Sequence, residues 1–388
     1  MIHPPLLEQT IAALQQAPGF TPGEPVLAAM SGGVDSSVMA ALLQAAGFQV
    51  VGVSMNLFAK DPSQESMGRC CTLDDFQDAR RVAYERDFPH YVLDFHKEFH
   101  RTVIDPFIDA YLHGETPSPC ILCNQHLKFD ALLRKADELG IRAVATGHYA
   151  RITHDASGWH LRKAVDAAKD QSYFLFHHTQ ATLARTLFPL SELSKPQVRA
   201  LGAELGLHLA EKRESQEICF VGNDRYDAYI EREGRAPEHI PGEIRHIEDG
   251  RILGTHQGLW RYTIGQRKGL GIAHAEPLYV VRLEPSTNTV WVGGKKDLPG
   301  STLWARDLHW CARDFPAPGA RLTCAARIRS RSPEAPATLE LQADGRARIT
   351  FDAPQLAITP GQAIVFYQDD ELLGGGWIDQ PRPAESTE

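Results

Sequence analysis

The chain has 388 residues, 43% hydrophobic and 23% charged, with a formal net charge of −9. That length supports two or three domains, each with its own core. The acidic balance excludes a simple electrostatic binder of nucleic acid but leaves room for one local basic face.

The first twenty residues lack the positive start and long apolar stretch of a signal peptide. No apolar run approaches the roughly 20 residues that span a membrane, so the expected location is the cytoplasm. Residues 5–16 suit a short amphipathic helix. "PVLAAM" (25–30) reads as a buried strand, and "DSSVMAALLQAAG" (35–47) as a helix ended by Gly47. "FQVVGVSM" is a second strand. "TLDDFQDARRVAYERDF" is a helix with Thr72 as N-cap and acidic residues in its first turn. "HYVLDF" is a third strand, "FDALLRKADELG" a helix ending at Gly140, and "RAVATGHYAR" (142–151) a further strand. Such alternation predicts a parallel sheet with helices on both faces and a ligand at the carboxyl ends of its strands.

From about 224 the texture changes. "EREGRAPEHIPGEI" is rich in Gly and Pro, and "EPLYVVRLE" and "NTVWVGG" read as short strands. From about 303, "LWARDLHW", "RLTCAARIR", "ATLELQ", "RARITF" and "AIVFYQ" have the close spacing of a small β-barrel or sandwich. The predicted organisation is an α/β domain over 1–223, a small central domain over 224–302 and a β-barrel over 303–380. A disordered tail, 381–388, follows.

"MSGGVDSS" (30–37) lies between the first strand and the first long helix. Glycines let backbone N–H groups approach an anion, and the helix N-terminus favours negative charge. Ser31, Ser36 and Ser37 add donors. The lysine of a Walker loop is missing, so the loop suits a departing pyrophosphate better than γ-phosphate transfer, with Asp35 placed to hold Mg²⁺. The loop resembles that of the PP-loop ATP pyrophosphatases, which cleave ATP between the α- and β-phosphates and adenylate a carbonyl-type oxygen.

The seven cysteines are an odd number, not a disulfide framework. Cys120 and Cys123 lie in "TPSPCILCN", where a helix N-terminus lowers a thiol's pKa. Cys219 lies in "SQEICFVG". Cys70 and Cys71 read as packed or partly exposed thiols, and Cys311 and Cys324 as core.

Together "MSGGVDSSV", "CCTLDDFQDARRVA", "TPSPCILCN", "ATGHYAR", "KDQSYFL", "SQEICFVG" and "YTIGQRKGLGI" resemble the bacterial tRNA-specific 2-thiouridylase family, from about residue 26 through 376. The resemblance implies an adenine nucleotide alpha-hydrolase-like first domain. It also implies adenylation of the C2 oxygen of the wobble uridine of tRNA, followed by sulfur transfer. Cys123 takes the place of the first reacting cysteine and Cys219 that of the persulfide carrier. A disulfide between them would close the cycle, unless Cys123 instead releases a hydrosulfide. The sulfur comes from a cysteine desulfurase or a relay protein.

ATP would be lined by Ala29, Met30, Ser31, Gly32, Gly33, Val34, Asp35 and Ser36, with Met55 at the adenine and Gly147 completing the site. Contacts to tRNA fall on Ser118, Pro119 and Cys120, on His148, on Lys169, Asp170 and Gln171, on Arg327 and Ile328, and on Gln362. Cys120 stands where some relatives carry an aspartate. With Cys123 and Cys219 it forms a candidate ligand set for an iron–sulfur cluster. "RYTIGQRKGLGI" reads as a mobile basic loop. "RIRSRS" (327–332), taken as a strand, puts Arg327, Arg329 and Arg331 on one face for phosphate contact. Two other classes remain open: a PP-loop ligase or amidotransferase acting on a small molecule, and a nucleotide-binding RNA adaptor.

Overall fold

The computed structural model describes residues 5–58, 73–209, 212, 218–222, 225–237, 240–312 and 314–380. Cys70, Cys71, the proposed cap Thr72 and the tail 381–388 lie outside them.

The first domain is built on a five-stranded parallel sheet of order β3-β2-β1-β4-β7. Its strands are β1 (Pro25–Ala29), β2 (Gln49–Asn56), β3 (His90–Asp94), β4 (Ala143–Ala145) and β7 (Thr186–Leu187). Helices α1 (Leu6–Gln15), α2 (Val34–Ala45), α3 (Leu73–Glu85), α4 (His96–Phe99), α5 (Asp105–Leu112), α6 (Pro119–Cys123), α7 (Leu132–Glu138), α8 (Gln180–Leu183) and α9 (Lys195–Glu204) accompany it. Val26, Leu27 and Ala28 of β1 are fully buried, as a central parallel strand requires. Helix α2 ends as expected, with Gly47 in the left-handed region at φ 91°. Strand order reverses between β2 and β4 on either side of β1, so the crevice at the carboxyl ends of β1 and β4 is a switch point.

The run "RAVATGHYAR" is not one strand. β4 covers Ala143–Ala145, the chain turns out of the sheet over 146–149, and β5 (Ala150–Asp155) begins an antiparallel hairpin with β6 (Gly158–Lys163) in another sheet. Only Ala143–Ala145 find parallel neighbours on β1, which is why the pattern misled.

After α10 (Tyr226–Arg232), a four-stranded sheet of order β10-β11-β8-β9 forms the central domain. It comprises β8 (Gly242–His246), β9 (Ile252–His256), β10 (Tyr279–Glu284) and β11 (Thr289–Gly293) around Ile244, Val280, Val290 and Val292. Then β12 (Pro299–Trp310), β13 (Arg321–Arg327), β14 (Ala335–Leu341), β15 (Ala347–Leu356), β16 (Ala363–Gln368) and β17 (Glu371–Ile378) follow. β12 pairs with both β15 and β17 and closes these strands into a barrel. β17 also meets β6, so the hairpin of the first domain extends the barrel's sheet.

The first domain and barrel share the cluster of Tyr173, Phe176, Ala363, Val365 and Tyr367. Nearby, His148 and His178 are 7% and 3% exposed. Burial holds both below the usual histidine range, His178 at about 3, with neighbouring cationic groups adding to the effect. Their folded-state pKa values are depressed, so the unfolded chain takes up protons first as pH falls below 6.5. The stability these neutral rings contribute is therefore present above that pH and lost below it. From pH 6.5 to 5 the His178 contribution should cost about 2 kcal/mol, and His148 adds in the same direction. Urea melts across that range should show the loss, and substituting Phe at His178 should flatten it. An unchanged slope in that variant would refute the assignment.

Candidate active site

The predicted nucleotide loop leaves β1 at Ala29 and enters α2 at Val34, with Gly33 at the N-cap. Gly32 has φ 70°, and a Cβ there would collide with the backbone carbonyl of Asp75 at the start of α3. Ser36 organises the turn. Its hydroxyl accepts from the Ser31 N–H at 3.1 Å and donates to the Gly33 carbonyl at 3.2 Å. Ser37, read as a further phosphate donor, is fully buried within α2. Met30 is also buried, its N–H donating to the Val53 carbonyl at 2.8 Å. Gly147 packs against the loop: a Cβ on it would lie 3.1 Å from the Asp35 carbonyl carbon and the Ser36 nitrogen. The residues expected around ATP therefore gather at the switch point.

Sequence reasoning missed the basic groups that reach this loop. Lys195, at the start of α9, donates to both carboxylate oxygens of Asp35 at 2.7 and 2.8 Å, and the Tyr149 hydroxyl donates to Oδ1 at 2.8 Å. Lys212 donates to the Gly32 carbonyl at 2.9 Å and to Asp75 and Asp78 at 2.7 and 2.6 Å. Both lysines come from far along the chain. The sole local signal is the Ser194-x-x-Gln197 pattern that starts α9, where the Gln197 side chain accepts from the Ser194 N–H at 2.8 Å.

Cys120 and Cys123 both lie on α6, one turn apart, so they share a face. Cys120 is exposed, whereas Cys123 and Cys219 are half-buried. Cys123 and Cys219 border one apolar cluster centred on Phe99, Phe107 and Phe220, and Met55 borders it too. The structure thus brings the two cysteines and the expected adenine neighbour to one cluster. Among the described residues no three His, Cys, Asp or Glu side chains gather as a metal site. Cys311 and Cys324 are buried in the β-rich half, and burial pushes the Cys324 thiol up to about 11.

The residues expected to touch tRNA are wired into the protein. Gln362 of the barrel donates to the Thr116 and Pro117 carbonyls at 2.8 and 3.2 Å, just ahead of Ser118, Pro119 and Cys120. Asp170 accepts from the Ala164 and Ser172 N–H groups, and Gln171 accepts from the Tyr149 N–H at 3.0 Å. Lys169 lies beside them, its N–H donating to the Asp166 carbonyl. His148 Nε2 accepts from Lys128 at 3.4 Å, which leaves Nδ1–H to donate to Thr146 Oγ1 at 2.7 Å.

The arginine stripe is not formed. β13 stops at Arg327, and 328–332 turn, with the Arg329 N–H donating to Ser332 Oγ. Arg327 pairs with Asp170 at 3.4 Å and Glu334 at 2.8 Å and lies over the Tyr367 ring, and Ile328 is buried. The basic loop 261–272 is tied down as well: Gly265 N–H donates to the Val280 carbonyl, and Val280 N–H to that of Gln266.

Residues 24–223 match the family described as tRNA methyl transferase HUP domain. Residues 232–294 match its PRC-barrel domain, and 300–378 the aminomethyltransferase β-barrel domain. The chain is 49% identical to the tRNA-specific 2-thiouridylase MnmA of Solibacter usitatus, over 92% of this chain and 100% of that protein. It is 52% identical to the MnmA of Moorella thermoacetica, over 91% and 99%. Among solved structures, a 4-thiouridine synthetase–RNA complex with bound ATP has a TM-score of 0.37 at 18% identity, covering 55% of this chain and 51% of that one. With relatives matched end to end at this identity, the chain belongs to the tRNA-specific 2-thiouridylase family, MnmA.

Proposed function

We propose that this enzyme replaces the C2 oxygen of the wobble uridine of tRNA with sulfur, using ATP. The observation that carries the reading is the cluster shared by Met55, Cys123 and Cys219, which joins both cysteines to the residue expected at the adenine. The small-molecule ligase and the RNA adaptor need no such pair.

Binding at the loop holds the β- and γ-phosphates at the N-terminus of α2 and leaves the α-phosphorus open to the uridine. The uridine O2 attacks that phosphorus, and the bond to the bridging oxygen breaks, its electron pair leaving with pyrophosphate. Asp35 is the carboxylate that fits Mg²⁺, since this ion takes one or two carboxylates and draws its other ligands from phosphates and water. When bound, the metal neutralises phosphate charge. Both Asp35 oxygens already accept from Lys195, so the ion would share that carboxylate with the ammonium.

In the second half, the terminal sulfur of a Cys219 persulfide attacks C2, and AMP leaves with the C2–O bond pair. The Cys123 thiolate then attacks the inner sulfur. The S–S bond breaks, its electron pair stays on the sulfur bonded to C2, and a Cys123–Cys219 disulfide forms. A thiol reductant supplies two electrons to reopen it. Hydrosulfide release by Cys123 is the other order of events. The persulfide sulfur is supplied by a cysteine desulfurase or a relay protein.

Incubating the enzyme with tRNA, ATP, Mg²⁺ and a persulfide donor, then measuring nucleosides by mass spectrometry, should yield 2-thiouridine at the wobble position. AMP and pyrophosphate formed without any thiolated nucleoside would refute the acceptor.

A further inference from the structure

A carboxylate in the first turn of a helix is stabilised by the helix dipole and requires no lysine to hold it. Asp35 has one nonetheless, and it is fixed at both ends. The Lys195 backbone N–H donates to Asp166 Oδ2 at 2.9 Å, while its ammonium grips both oxygens of Asp35. The Lys195 side chain is 10% exposed and that of Asp35 29%, so the pair is covered on the lysine side and open on the loop side. Burying an ammonium costs several kcal/mol that one carboxylate repays only in part. The pair also sits where a polyphosphate is expected, beside a carboxylate that would repel it.

We infer that Lys195 is the phosphate-binding lysine of this site. Asp35, braced by the Tyr149 hydroxyl, holds its ammonium at the loop, and with ATP bound it donates to β- and γ-phosphate oxygens, where charge accumulates as pyrophosphate departs. The charge that a Walker loop carries within its own sequence is supplied here from the start of α9. Asp35 then acts in part as a positioning residue for Lys195. The inference rests on the adenylation reading of the loop, but not on the identity of the acceptor.

The test is calorimetric binding of ATP and of AMP to the full chain without tRNA. Lys195→Met should weaken ATP more than about tenfold, the worth of one charge-assisted hydrogen bond, and AMP less than about twofold. Lys195→Gln keeps a donor for Asp35 but no charge and should behave like Met, whereas Lys195→Arg should keep the wild-type preference for ATP. Equal loss of both nucleotides, or loss of neither, would overturn the inference, because a lysine that only braces the fold cannot distinguish them. A chain that shows this pattern yet makes no 2-thiouridine would overturn the acceptor and leave Lys195 in place.

Discussion

Cys219→Ser should abolish sulfur incorporation into tRNA while leaving ATP affinity near wild type. A serine hydroxyl cannot carry a persulfide sulfur, so no residual route passes through that position. Loss of nucleotide binding is not expected, because Cys219 borders the cluster around Phe220, whereas Met30 and Val34 of the loop pack in a different one. The substitution is nearly isosteric, and half-burial at the edge of a cluster tolerates it. The discriminating measurement pairs thiolated nucleoside with tRNA-dependent AMP formation in one reaction. Thiolation at the wild-type level would remove Cys219 from the sulfur path.

The second large effect is expected at the loop itself. Gly32→Ala places a side chain at φ 70°, and its Cβ would collide with the Asp75 backbone, which belongs to α3 and has no flexible end to give way. Either the loop or the start of α3 must shift. A displacement of about 1 Å at a reacting centre costs on the order of a hundredfold in rate, so AMP formation should fall by at least that factor. Gly33→Ala is the internal control. Its φ is −92°, and a Cβ would sit 3.6 Å from Ser31 Oγ, an ordinary contact, so activity should stay within a few-fold of wild type. If the two substitutions behave alike, the close approach of α3 to the loop has no bearing on catalysis.

The features legible in sequence were those whose cause is local. β1 and β2 announce themselves by continuous apolar runs, and Gly47 marks the end of α2 by its own backbone. β4 is only three residues long, and nothing in "RAVATGHYAR" reports that its remainder leaves for another sheet. β8 and β9, "GEIRH" and "ILGTH", have too weak an alternation to stand out; β8 gains strand geometry from β11, and β9 from β8. The arginine stripe failed because alternation in sequence gives a common face only in a strand, and β13 stops at the first arginine. Lys195 was invisible for the plainest reason: its partner lies 160 residues away.

The hairpin β5–β6 fixes more than topology. Asp370, in the turn between β16 and β17, takes ion pairs from Arg151 and Arg162 of that hairpin and accepts the Lys163 N–H on its carbonyl. A barrel spliced into the catalytic domain this way is no arm on a tether. Its distance from the nucleotide loop is set at folding, like the jaw of a caliper locked before measuring. Any ligand long enough to touch both the barrel and the nucleotide loop would find them at one fixed separation.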